Sequence, residues 1–105
     1  MSDAALLWST FADAAEAERV AEAVLAERLA ACVNILAPCY SIYRWQGAIE
    51  RASEVPALFK TTPELVERLR ARIEALHGYD LPVVEAWPVA VANSVRDWIA
   101  GETGA

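Results

Sequence analysis

Six residues carry most of the chemistry this chain offers: Cys32, Trp45, Lys60, His77, Tyr79 and Glu85. Cys32 and His77 are soft and borderline ligand types suited to a divalent metal such as copper or zinc. Neither belongs to a paired local motif such as CxxC or HxxxH, so a metal would need ligands from more than one subunit. A cysteine between Ala31 and Val33 also reads as a small buried hydrophobe. One histidine at a helix C-terminus also reads as a partner of the helix dipole. Lys60 stands late in an apolar run, between Phe59 and Thr61, where a buried ammonium is costly without a partner. Glu85, Tyr79 or an anionic ligand could supply that partner. Trp45 and Tyr43 from a neighbour's hairpin would complete a ligand cleft with aromatic walls and few polar groups. The alternative is a strand-end lysine reaching solvent. No G-x-S-x-G, Gly-rich phosphate loop or Ser/His/Asp set occurs, and a Cys32–His77 nucleophile pair lacks an orienting motif, so the expectation is a protein that is not an enzyme.

The stretch 31–62 must position most of these groups. It reads as two long strands joined by a tight turn at Gln46-Gly47, with Gly47 supplying positive φ. Val33, Ile35, Tyr40, Ile42, Tyr43 and Trp45 fill the first arm; Ile49, Val55, Leu58 and Phe59 mark the second. Each arm spans roughly 40–45 Å at about 3.3 Å per residue. A compact chain of this length is only about 33 Å across. The tip therefore overhangs with Tyr43, Trp45 and Ile49, and apolar strand edges invite pairing with another chain. This predicts an obligate oligomer. The competing expectation is a hairpin broken into shorter pieces, because neither Pro38 nor Pro56 can donate a ladder hydrogen bond.

Around the hairpin, residues 4–10 form an apolar strand. Asp13 then caps a helix over 14–29, with Glu16 three residues later in a capping-box spacing. Thr62-Pro63 restarts a helix whose stripe is Leu65, Leu69, Ile73 and Leu76, ended by Gly78. A fourth strand follows over 83–87, closed by Pro88, then a short helix with Val95, Trp98 and Ile99. Residues 101–105 read as a polar, disordered tail. The order predicts one α+β domain over 1–105, a ferredoxin-like βαββαβ sandwich with a long hairpin between its second and third strands and a short C-terminal helix.

Composition sets the outer bounds. A hydrophobic fraction of 56% is high for 105 residues and again points to buried subunit interfaces. A net charge of −6 argues against nucleic acid and anionic membrane surfaces as partners. The N-terminus MSDAALLWST shows no basic leader and no apolar run is long enough to span a bilayer, so the expected compartment is the cytoplasm, with reduced thiols. On one continuous strand Cys32 and Cys39 are on opposite faces and roughly 23 Å apart, which excludes a disulfide between them unless the chain folds back at Ala37-Pro38.

The runs LAERLAACVNIL, SIYRWQGAIE, SEV, LFKTT and LHGYDLP resemble the CutA family of divalent-ion tolerance proteins, in order and over about residues 5 to 100. The resemblance implies a ferredoxin-like fold similar to the PII signalling proteins. It implies a homotrimer built through the long hairpins, and a link to copper and other divalent cations or to small ligands between subunits. A PII-like signalling or scaffold role through protein partners is the alternative it implies. The family's metal-associated pattern has a Cys near the end of the first strand and a His pair before Pro-Tyr. Here those positions hold Ser9, Leu76-His77 and Gly78, so His77 alone matches. Where the family commonly has Glu after the fourth-strand Pro, this chain has Val83, with Glu85 two residues on and on the same face.

Overall fold

A computed structural model describes residues 3–104. In chain order the elements are β1 (Ala4–Phe11), α1 (Ala14–Ala26), β2 (Cys32–Ile35), β3 (Cys39–Trp45), β4 (Ala48–Thr61), a 3-10 turn (Pro63–Leu65), α2 (Val66–Leu76), β5 (Glu85–Val89) and α3 (Asn93–Glu102). The sheet runs β2-β4-β1-β5, all antiparallel, and β3 pairs β4 beyond the end of β2.

Alternation along the strands divides the sheet into two faces. One carries Leu7, Phe11, Val55, Ala57 and Phe59, which pack with Ala17, Val20 and Val24 of α1 and Leu69 and Ile73 of α2 as a single core. The other carries Leu6, Trp8, Leu58 and Lys60, all half-buried, and is left open by those two helices. The Asp13 carboxylate caps α1 by accepting the Glu16 N–H at 2.8 Å. α1 stops three residues short of the expected end. Arg28 turns the chain with φ +59, and the Leu29 N–H reaches back to the Val24 carbonyl at 3.0 Å.

The hairpin holds, with one change. β4 is a continuous 14-residue strand, but the first arm is split into β2 and β3 at Leu36-Ala37-Pro38. Pro38 offers no N–H and restricts Ala37 before it, so the ladder stops there. The Leu36 N–H donating to the Pro56 carbonyl at 2.9 Å is the last bond before the break. Gln46 and Gly47 both have positive φ, 49 and 83, the backbone of a two-residue I′ turn. β3 and β4 share seven residue pairs, from Cys39↔Glu54 to Trp45↔Ala48, with no third strand beside them. This ribbon stretches the molecule to 45 × 27 × 23 Å. One ribbon face presents Tyr40, Ile42 and Ile49, which are 69%, 57% and 64% exposed; the other presents Tyr43 and Trp45.

Two further expectations change. β5 starts and ends two residues later than predicted and contains Pro88, opposite Ala5. It is an edge strand, where a missing N–H is tolerated. The expected disordered tail is a correction for residues 101–104; Ala105 lies outside the described residues. Gly101 and Glu102 are the last residues of α3, and Thr103 is buried with its hydroxyl donating to the Ile99 carbonyl. Arg28 fastens the segment. Its side chain donates to the Gly101 and Gly104 carbonyls, each at 2.9 Å, and its own carbonyl accepts the Gly104 N–H. A cation bonding the last carbonyls of a helix satisfies groups that would otherwise be orphaned.

Candidate functional site

Strand register places the predicted residues unambiguously. Cys32, Lys60, Leu6 and Trp87 form one line across β2, β4, β1 and β5 on the open face. The next line on that face is Asn34, Leu58, Trp8 and Glu85. Cys32 and Lys60 are thus direct cross-strand neighbours, about 5 Å apart at Cα. Glu85 lies two strands and one line away from Lys60, on the order of 12 Å. Lys60 makes no ion pair among the described residues. The fold therefore gathers Cys32, Lys60 and Glu85 on the face away from α1 and α2, with Trp87 and Trp8 on the same face.

Trp45 and Tyr79 are not brought there within one subunit. Trp45 pairs with Ala48 at the ribbon tip, about 40 Å along β4 from Lys60. Tyr79 sits at the ribbon root, in the segment between α2 and β5, where its hydroxyl donates to Glu54 Oε2 at 2.8 Å.

His77 faces inward. Its side chain is fully buried and stacked on Phe11, with ring centroids 4.5 Å apart and planes 16° apart. Nε2 lies 2.8 Å from the Thr10 carbonyl, which can only accept, so Nε2 carries the proton. Nδ1 then accepts the Tyr79 N–H at 3.2 Å. Both nitrogens are occupied, and neither is left for a metal in this arrangement. Glu16 also turns inward: instead of closing a capping box, its carboxylate covers Gly78, where an added Cβ would strike Glu16 Oε2. Ser9, the match to the family's cysteine, is buried on the helix side and donates to the Val83 carbonyl at 2.9 Å.

The residue that sequence reading assigned no role is Glu54. It is 9% exposed and opposite Cys39 at the junction of ribbon and sheet. The hydroxyls of Thr10 (3.0 Å) and Tyr79 (2.8 Å) both donate to Oε2, and Ser41, on the same ribbon face, has its hydroxyl 3.7 Å from Cys39 Sγ. Burial alone pushes its pKa up, but the nearby hydroxyls of Ser41, Tyr79 and Thr10, with a further contribution from His77, outweigh burial and hold it below the usual carboxylate value. Tyr79 shifts upward, first through burial and then through its bond to Glu54 and the charges of Glu54 and Glu16. A glutamate heading the apolar run Val55 to Phe59 was the visible signal. The hydroxyls around it come from three other segments that no local pattern connects to it.

A sequence profile described as CutA1 divalent ion tolerance protein matches residues 5–102. The chain belongs to the CutA1 family. It is 44% identical over 89 residues to the divalent-cation tolerance protein CutA of Thermus thermophilus, covering 84% of this chain and 86% of that one. It is 39% identical over 99 residues to the protein of the same name from Pyrococcus horikoshii, covering 93% and 96%. Among solved structures, CutA from Xylella fastidiosa superposes with a TM-score of 0.93 at 40% identity, covering 98% of this chain and 100% of that chain. The CutA1 fold is thus shared over essentially the whole chain, ribbon included. No described helix is long and apolar enough to cross a membrane, and the described residues contain no group of three or more His, Cys, Asp or Glu side chains placed to hold a metal.

Proposed function

We propose that this CutA1 chain works without catalysis as a homotrimer, and that clefts between its subunits take a divalent cation, copper or a similar ion, or a small ligand. One observation carries the reading: a two-stranded ribbon with apolar side chains exposed on both faces projects from a sheet whose second face is left open by α1 and α2. Naked edges of that kind are tolerated when another chain covers them. A neighbour's ribbon laid on the open face would bring its Trp45 toward Lys60, Glu85 and Cys32, which no single subunit can do. Tyr79, at the ribbon root, would border the same cleft.

Among the described residues a single subunit does not hold a set that fits copper or zinc. His77 has both nitrogens engaged, and Lys60 is the cross-strand partner of Cys32. A cation site would have to draw Cys32 or Glu85 from several subunits around one ion. The names of the relatives, divalent-cation tolerance proteins, support the cation half of the reading. We place the protein in the cytoplasm on its sequence, although a rice relative is named chloroplastic and an Archaeoglobus fulgidus relative periplasmic.

Sedimentation at micromolar concentration, followed by copper and zinc titration of wild type, Cys32→Ser and His77→Ala, tests this. The expected result is a trimer whose metal heat falls in Cys32→Ser and is unchanged per folded His77→Ala trimer. A folded monomer removes the assembly and its clefts together. The occupied nitrogens of His77 favour a second reading, a PII-like signalling or scaffold protein acting through protein partners without metal. A specific partner captured by the trimer, with no metal heat, would favour it.

A further inference from the structure

Glu54 is a buried anion without a salt-bridge partner among the described residues, although His77 is near enough to help stabilise its charge. Among the described residues no Lys, Arg or His pairs with it, and Lys60, on the same strand and face, is about 20 Å away along β4. Two neutral hydroxyls donate to it, those of Thr10 and Tyr79, and Ser41 stands nearby on the same ribbon face. Each of the two donors has one proton and spends it on the carboxylate. What their oxygens have left is lone pairs. The carboxylate itself has about four acceptor positions, and two donors leave some of them open. The ribbon root therefore offers a visitor acceptors and one negative charge.

Tyr79, bonded to Glu54, is 37% exposed, and Tyr43, 40% exposed, projects from the same ribbon face as Glu54, about 13 Å further along the ribbon and opposite Glu50. The face of an aromatic ring attracts a cation. A hard metal ion is a poorer match, because one carboxylate and protonated hydroxyls fall short of the several carboxylate and carbonyl oxygens that calcium takes. From this geometry we infer that the ribbon root is a binding site for an organic N–H cation, an ammonium or guanidinium group, seated on Glu54 beside Tyr79, with Tyr43 further out on the same ribbon face. The group reaches it from one of two sources: a free alkylammonium or guanidinium compound, or a lysine or arginine of a second copy. Divalent metal binding is a separate property and is not required.

Calorimetric titration with methylguanidinium and butylammonium, with tetramethylammonium as a cation lacking N–H donors, tests the assignment. Wild type should bind the first two saturably and tetramethylammonium far more weakly. Glu54→Gln should weaken binding about tenfold or more, as loss of a charged hydrogen bond does, and Tyr79→Phe should weaken it to a lesser degree. If wild type binds no free probe, but Arg44→Gln, Arg51→Gln or Lys60→Gln opens a saturable site that Glu54→Gln closes again, the site stands and its natural occupant is the second copy. Should Glu54→Gln fail to fold, Tyr79→Phe and a Tyr43→Leu variant carry the test in its place. Equal affinity in the folded variants and wild type, or no N–H-dependent binding in any background, overturns the assignment.

Discussion

Tyr79 donates its phenolic hydrogen to Glu54 across 2.8 Å, and this bond joins the segment between α2 and β5 to the root of the β3–β4 ribbon. Thr10, the next-to-last residue of β1, reaches the same carboxylate oxygen. His77, two residues before Tyr79, holds the Thr10 carbonyl with one nitrogen and the Tyr79 N–H with the other. Four side chains from three segments thus form a closed ring of bonds where the compact sheet becomes an unsupported ribbon. The overhang needs a stiff base, because beyond Glu54 only β3 pairs with β4.

This ring makes stability depend on pH at both ends of the scale. Glu54 has a folded-state pKa below its usual value of 4.5. Its contribution is therefore present above about pH 4.5 and is lost as pH falls through the lowered folded value. Tyr79 has a pKa raised above its usual value of 10.0. Its contribution is present below about pH 10 and is lost as pH rises toward the higher folded value. Melting temperatures between pH 7 and 3 should fall more steeply for wild type than for Glu54→Gln, and Tyr79→Phe should flatten the alkaline limb above pH 10. Parallel curves for wild type and both variants would remove the ring from the account.

His77 should matter to folding more than to ligand binding. His77→Ala deletes a buried ring stacked on Phe11 and leaves the Thr10 carbonyl and Tyr79 N–H without partners. Cavity and unsatisfied groups together predict a loss of about 3–5 kcal/mol. His77→Gln, which keeps one donor and one acceptor, should cost roughly half as much. Urea unfolding of the three proteins measures this; a loss under about 1 kcal/mol for His77→Ala would contradict the burial.

What the sequence shows and what it hides differ by range. The turn at Gln46-Gly47, the Asp13 cap and the core stripe Leu69-Ile73 are written in neighbouring residues, and all are found where their chemistry placed them. The excess length of the ribbon followed from arithmetic on β4. The break at Pro38 was visible as a competing possibility, but the sequence does not say that Pro56, the other proline, stays inside the ladder opposite Thr10. The site was less legible because its contacts are non-local. Glu54 and Thr10 are 44 positions apart, and the C-terminal clamp joins Arg28 to Gly104 over 76. The polar character of residues 101–105 suggested disorder, yet backbone carbonyls and one arginine order 101–104 without any apolar signal in that segment beyond Gly101.

Arg28 carries two opposed effects that substitution can separate. Its φ of +59 is a left-handed conformation that favours glycine, while its side chain bonds the carbonyls of Gly101 and Gly104. Arg28→Ala loses the bonds and keeps the backbone strain; Arg28→Gly loses the bonds and relieves it. Alanine should therefore be less stable than glycine by about 1 kcal/mol. Both should raise hydrogen exchange at the Gly104 amide relative to wild type. Equal stability of the two variants would show that the turn is not strained.

The assembly prediction is the most exposed to failure. Ile42 and Ile49 share one ribbon face with Tyr40, through the pairs Ile42↔Arg51, Arg44↔Ile49 and Tyr40↔Ser53, and none of the three touches the monomer's core. Charges placed there cost a lone subunit little, since the positions are solvent-exposed in it. In a trimer the same charges would be buried without partners, at several kcal/mol for each interface. Ile42→Glu with Ile49→Glu should therefore shift the sedimenting species from trimer to monomer and make melting independent of protein concentration, whereas wild type melts at higher temperature as concentration rises. A double variant that still sediments as a trimer would mean that the open sheet face, not the ribbon, holds the subunits together. The corresponding charge on that face, Trp87→Glu, would then be the one that dissociates them.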